Sequence, residues 1–240
     1  MAEQVLTDVP RPFTGEAAIA VAIGFNVPFA ILGATFDYPD VLRRPAGEVL
    51  DLFVQGGAPL ILTWHAFALS ALALAPLAFA LTLTRKRVAE APGLAIGAAV
   101  AGALSALAQA IGLWRWVFVV PGLARVHADA AASDEAKHAA ERTFDLINQY
   151  GGVAIGEHLG QMLLAIFVVC LSALQLRERK VVSGGLGVLT AAAIVVGTGE
   201  GLMLAVGESG EAFALVTIAG FVGLTLWLIA TGIGTMRGAR

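Results

Sequence analysis

The sequence predicts an all-α fold, a six-helix transmembrane bundle with short outer amphipathic helices. Three observations lead there. Of 240 residues, 58% belong to the apolar set and only 14% are charged, with a mean hydropathy of +0.82. A soluble domain carries about 25% charged residues, so roughly half the usual solvating surface is missing. Six segments then meet the requirement of about 20 mostly apolar residues for crossing a hydrocarbon core of about 30 Å. Finally, no stretch alternates polar and apolar residues as a membrane barrel strand does. The net charge of −3 gives no electrostatic footprint for nucleic acid, so the lipid bilayer is the expected partner and protein partners are open.

The N-terminal tail, residues 1–14, places two carboxylates before its first arginine and lacks the basic start of a cleaved signal peptide. The first span, 15–36, is therefore expected to be retained, with Asn26 at its middle as an interhelical hydrogen-bonding residue. In the loop that follows, Glu48, Asp51 and Gln55 share one helical face while Val49, Leu52 and Phe53 lie elsewhere on the turn. This pattern reads as a short amphipathic helix on the outer interface. The second span, 58–84, carries His65.

The third span, 92–116, raises a length problem. Apolar sequence runs from 92 to 124, interrupted only by Arg115, and a helix that long would reach about 50 Å. Pro121 is expected to end or kink it. Gln109 inside this span reads as a further hydrogen-bonding residue. Ser133 is placed to cap an outer helix, with Asp134 and Glu135 in its first turn and Ala140, Phe144 and Ile147 on its packing side. His127 and His138 read as ordinary solvated residues. The remaining spans are 151–176, 181–206 and 212–236, all within one domain, 15–236, followed by a tail, 237–240. The single cysteine, Cys170, permits no internal disulfide and reads as a buried, inert thiol.

Orientation follows from basic residues near span ends. Arg85-Lys86-Arg87, Arg177, Arg179, Lys180 and the two tails put nine on one side, against five in the opposite loops. Both termini are thus expected in the cytoplasm. Arginine outnumbers lysine 12 to 3, a bias that fits a GC-rich bacterial genome and hence a bacterial cytoplasmic membrane.

Ionisable groups inside spans are costly and point to sites. Counted from the span centres at 1.5 Å per residue, His65, Glu157, His158 and Glu200 fall about 8–10 Å toward the outside, and Arg115 about 16 Å. The expectation is a polar cluster open to the outer side, binding a small solute or a proton. Arg115 either pairs with Glu157 or Glu200 or, flanked by Trp114 and Trp116, joins the outer aromatic belt and snorkels. Gly152, Gly156 and Gly160 recur every four residues and clear a stripe for helix packing, and Gly197 and Gly201 flank Glu200. On α-helical geometry His158 points about 200° away from Gly156.

No HExxH motif, P-loop or Rossmann fingerprint is present. Three readings compete. One is a transporter- or sensor-like protein built on the polar cluster, without a cofactor or metal. A second is a haem-b membrane protein with His65 and His158 as axial ligands. The third is a structural or assembly partner in a membrane complex.

The run RWVFVVPGLA, followed by ERTFDLINQYGGVAIGEHLGQ, resembles the bacterial membrane family known as domain of unknown function 4386. The likeness lies in Arg115, Trp116, Pro121, Phe144, Asn148, Tyr150 and Gly156 through Gly160, and elsewhere it is one of hydropathy. The resemblance implies a multispan membrane protein and brings no activity or cofactor. It centres attention on Arg115 and Glu157–His158.

Overall fold

A computed structural model describes residues 13–238. The tail expectations for 1–12 and 239–240 therefore lie outside the described residues. Six long apolar helices, each able to cross a membrane by length and hydropathy, make up the molecule, and the described residues contain no strand.

Helix α1 (Thr14–Phe36) ends where Asp37 turns left-handed at φ 53° and returns its N–H to Leu32. The loop then folds back over the bundle through a 3₁₀ turn, Asp40–Arg43, that buries Val41 and Leu42. Helix α2 (Ala46–Thr82) is two helices joined at Gly57, whose φ of 56° and ψ of −151° suit a residue without a Cβ. The first part, 46–56, is the expected amphipathic segment, and its apolar face turns into the protein. It buries Val49, Leu50 and Phe53 in the protein core and caps one end of the bundle.

Helices α3 (Arg85–Glu90) and α4 (Pro92–Phe118) follow, and α4 breaks at Val119 so that α5 (Val120–Ala128) starts with Pro121 in its first turn. Proline is tolerated there because a first-turn N–H has no helical partner to lose. Ser133 caps α6 (Asp134–Ile147), its Oγ accepting from the Ala136 N–H at 3.3 Å, and Ala140 and Phe144 face the core. Substituting Ser133 by alanine is expected to cost about 1 kcal/mol of local stability. Faster amide exchange confined to the first turn of α6 would register that loss.

A π-helical segment, Asn148–Leu159, then leads into α7 (Gly160–Arg177). Helix α8 (Val181–Gly197) breaks at Thr198 and resumes as α9 (Gly199–Ala205), before α10 (Glu211–Gly238). The six long helices pack as a ring in chain order, α1 on α2, α2 on α4, α4 on α7, α7 on α8 and α8 on α10, and α10 closes on α1. A ring of this kind leaves room at its axis. One end holds the basic connections; the other is capped by the 37–57 loop with α5 and α6.

Polar side chains tie the ring together. At the basic end Arg87 meets Glu178 with both carboxylate oxygens, at 2.5 and 2.8 Å. Deeper in, Gln175 donates to Thr231 at 3.0 Å and accepts from the Trp227 indole at 3.3 Å. Asn26 donates across the α1–α10 seam to Thr225 at 2.9 Å. Cys170 is half-buried rather than enclosed.

Candidate functional site

The axis of the ring holds a cavity of 570 Å³ on the capped side. One wall is aromatic. Trp64 and Trp116 stack with ring centroids 4.9 Å apart and planes 8° off parallel, and Phe36 and Tyr38 meet them edge-on. Both tryptophans are fully buried, so Trp116 is no part of an interfacial belt.

Arg115 is likewise buried, at 8% exposure, and follows neither expected course. It does not snorkel, and no carboxylate stands within 4 Å of it among the described residues. Its guanidinium donates to the Gly112 carbonyl and, at 3.0 Å, to Asn148 Oδ1, and it lies 5.2 Å over the Trp116 ring. The reason is steric and local. Gly152 faces it with no side chain, leaving the space that the guanidinium fills.

The cation that serves the carboxylates is Arg43, from the folded-back loop. Its Nη2 stands 2.5 Å from Glu200 and 3.7 Å from Glu157. Burial opposes the Arg43 charge, but Glu157 and Glu200 outweigh it and hold the guanidinium above its ordinary pKa. Burial, reinforced by Glu157, also pushes the neighbouring Tyr38 phenol up. Glu157 itself accepts no hydrogen bond among the described residues. A second void of 10 Å³, about the size of one water, lies between Glu157, His158, Thr198 and Glu200.

The π-helical segment sets these positions. Its i→i+5 bonding widens the turn, so the 200° separation expected from α geometry does not hold. His158 instead turns toward α8, its Nδ1 3.2 Å from the Thr198 carbonyl. The glycine stripe meets α4: Gly156 sits on Gly112 backbone to backbone, and Gly160 lies against Gln109. Gly197 backs onto Thr217 and Gly201 onto Val153.

His65 is not with the others. Its Nδ1 accepts from the Trp114 indole at 3.3 Å, on a face of α2 turned away from the cavity. Neither His65 nor His158 lines the 570 Å³ cavity, so the haem arrangement has no shared chamber for its two ligands. The structure thus brings together Glu157, His158 and Glu200, sets Arg115 beside them on the cavity wall, and leaves His65 out. Arg43, which the sequence reading counted as a loop charge, is the missed member.

The outer histidines also differ from expectation. His127 is held between Asp51 at 3.1 Å and Glu141 at 3.0 Å, and His138 reaches the same Glu141 at 3.0 Å. These contacts clamp α5 and α6 onto the first part of α2. Only His138 is largely solvated.

Four side chains on the cavity wall bear buried polar atoms that find no partner among the described residues: Trp64 Nε1, Trp116 Nε1, Arg115 Nε and Thr217 Oγ1. Such atoms are rare in native proteins and expensive to leave unmade. These atoms are closed off behind the wall and do not reach the contents of the chamber.

Six spans around a partly polar chamber define a multispan helical membrane protein. The chain belongs to the family described as domain of unknown function DUF4386, which matches residues 13–232. No curated protein and no solved structure matches it.

Proposed function

We propose that this protein binds a small molecule in its axial cavity, in the manner of a transporter or sensor. The observation that carries the proposal is the coincidence of a 570 Å³ chamber with the accessible charged groups Arg43, Glu157 and Glu200 gathered on its wall. A concave, mostly apolar volume with a few convergent polar groups is the usual form of a small-molecule site. The Arg43–Glu157–Glu200 group supplies the polar end. With Arg115 on the same wall the charges balance, two of each sign, which suits recognition and orientation.

The excess of basic residues at the opposite end supports placing the cavity toward the outside of the cytoplasmic membrane, with both termini within. Cysteine labelling of position 131, at the capped end, by an impermeant reagent tests that placement in intact cells.

Native mass spectrometry of protein released gently from its membrane tests the binding itself. The wild type is expected to carry a bound small molecule. The Ala214→Trp variant, which fills part of the chamber, is expected to lose it while keeping its helical circular dichroism spectrum. A wild-type chamber that yields no bound mass overturns the reading.

A further inference from the structure

On the premise that the binding reading holds, the groups open to the chamber decide the charge of its occupant. The wall carries four carboxylate side chains, Asp40, Glu157, Glu200 and Glu211, against two guanidiniums, Arg43 and Arg115. The balance at the polar end thus turns negative once the exposed Asp40 and Glu211 are counted. Water screens those two, but acids at the mouth still draw cations toward it. Arg115, moreover, is withdrawn. At 8% exposure it is committed to the Gly112 carbonyl and to Asn148. The accessible cation on the wall is Arg43, and Glu200 already holds it at 2.5 Å.

The hydrogen-bonding groups point the same way. Glu157 has a side chain 29% exposed and accepts no hydrogen bond among the described residues. Gln109 donates its amide N–H to Ser105 at 2.8 Å, which leaves its carbonyl oxygen without a donor. Asn26 is in the same state, donating to the Ala22 carbonyl at 2.8 Å and to Thr225 at 2.9 Å. Gln161 is 8% exposed, and neither end of its amide has a partner among the described residues. All four residues line the chamber, and none has its free polar atom shut away as Arg115 Nε and Trp116 Nε1 are. Thr225 is already engaged, since its hydroxyl accepts from Asn26 and donates to the Phe221 carbonyl at 3.0 Å.

Open acceptors therefore outnumber open donors. Carboxylate and carbonyl oxygens can only accept. An ammonium meets them with up to three N–H groups and supplies the missing positive charge. A hydroxyl brings one donor and no charge. A carboxylate brings neither a donor nor a cation, and would meet Arg43 only beside Glu200 and Glu157.

Gly156 packs on Gly112 and Gly160 on Gln109, so Gln109 and Gln161 stand one turn, about 5 Å, deeper than Glu157. Aromatic rings flank this end of the chamber. Phe29 and Phe67 meet Tyr38 edge-on, with centroids 5.4 and 6.2 Å apart, and Phe25 meets Phe67 in turn. Such rings suit an apolar body, and their faces also attract a cation.

We propose that the chamber takes a protonated amine with an apolar body. Its ammonium donates to Glu157, with Gln109 and Gln161 one turn deeper, and its apolar part lies against Phe25, Phe29 and Phe67.

The test titrates 3-phenylpropan-1-amine, 3-phenylpropan-1-ol and 3-phenylpropanoate into the full-length protein in phosphatidylcholine nanodiscs at neutral pH, read by calorimetry. The amine is expected to bind at least about tenfold tighter than either homologue, the yield of one hydrogen bond between charged partners. Ala214→Trp is expected to abolish that binding, which separates the chamber from partition into the bilayer. Glu157→Gln is expected to bring the amine to the level of the alcohol, with its helical circular dichroism spectrum reporting the fold. The wild-type ranking needs no variant, and an amine that ranks level with or behind either homologue overturns the proposal. So does an amine without detectable binding at millimolar concentration, or one that keeps its advantage in folded Glu157→Gln. A co-purified anion or uncharged molecule overturns it too, while leaving the binding reading in place. A chamber that carries no bound mass on release from the membrane overturns both.

Discussion

Substituting Arg87 by methionine is expected to lower the unfolding free energy by about 3 kcal/mol, the lower end of the range for breaking a buried ion pair. Arg87 and Glu178 have side chains only 9% and 14% exposed, and they join the first basic connection to the second. Arg87 also donates to the Leu81 carbonyl, which caps the end of α2. Its loss leaves Glu178 desolvated with Lys180, at 2.9 Å, as its remaining cation, and that residual partner keeps the cost from the upper end. Arg87→Lys is expected to lose much of the same stability, because an ammonium cannot reproduce the two-pronged contact.

The pair also writes a pH dependence. Burial works against ionisation of Glu178, but hydrogen bonds from Arg87 and Lys180 outweigh it and bring its pKa from the ordinary 4.5 to about 2. A carboxylate with a depressed folded-state pKa stabilises fully above its unfolded value. That contribution is lost as pH falls from about 4.5 through 2. Reversible unfolding in mixed micelles across that window is expected to show the decline in wild type and a flatter profile in Arg87→Met. An equally steep decline in the variant would assign the acid sensitivity to other groups.

Six spans were legible in the sequence because a bilayer imposes a one-dimensional rule, about twenty apolar residues in a row. The Ser133 cap and the break near Pro121 were legible for a similar reason, since each rests on the chemistry of one residue. The site was harder. Counting residues from a span centre gives depth and no direction around the helix, and His65 shows the consequence. It shares its depth with Glu157, yet one residue of α-helical rotation separates it from Trp64. Trp64 faces the chamber and His65 faces Trp114.

Arg43 was obscured by a different assumption, that a loop charge sets orientation and does nothing else. A charge count at the cluster's level held the clue. Two glutamates faced one arginine, and that arginine lies beside Asn148 rather than a carboxylate. A second cation was needed, and the nearest came from a loop whose Tyr38 and Leu42 fold onto the same wall. The π-helical segment could not be read at all, because its glycine spacing is equally compatible with an α-helix.

A close backbone contact between α4 and the π-helical segment also places the cluster, so crowding it is expected to affect stability and site together. Gly112 and Gly156 meet without side chains between them; a Cβ at 112 would lie 2.7 Å from the Gly156 Cα, and one at 156 would lie 3.0 Å from the Gly112 Cα. Neither contact can be relieved by rotating a side chain, since backbone stands on the other side. Gly112→Leu is therefore expected to cost about 3 kcal/mol or more, at the upper end for an overpacked core. Gly112→Ala should exceed Gly156→Ala in the order the two distances give. Gly97, also in α4 but with nothing within 4 Å of its absent Cβ, provides the control. Its alanine variant is expected to be neutral or more stable by about 0.5–1 kcal/mol, the helix-propensity gain. Separating α4 from the π-helical segment also draws Glu157, next to Gly156, away from Arg43. Gly112→Ala is thus expected to weaken ligand-induced stabilisation even under conditions where the variant stays folded. Retained stabilisation in a folded Gly112→Ala protein would mean that the contact supports the fold alone.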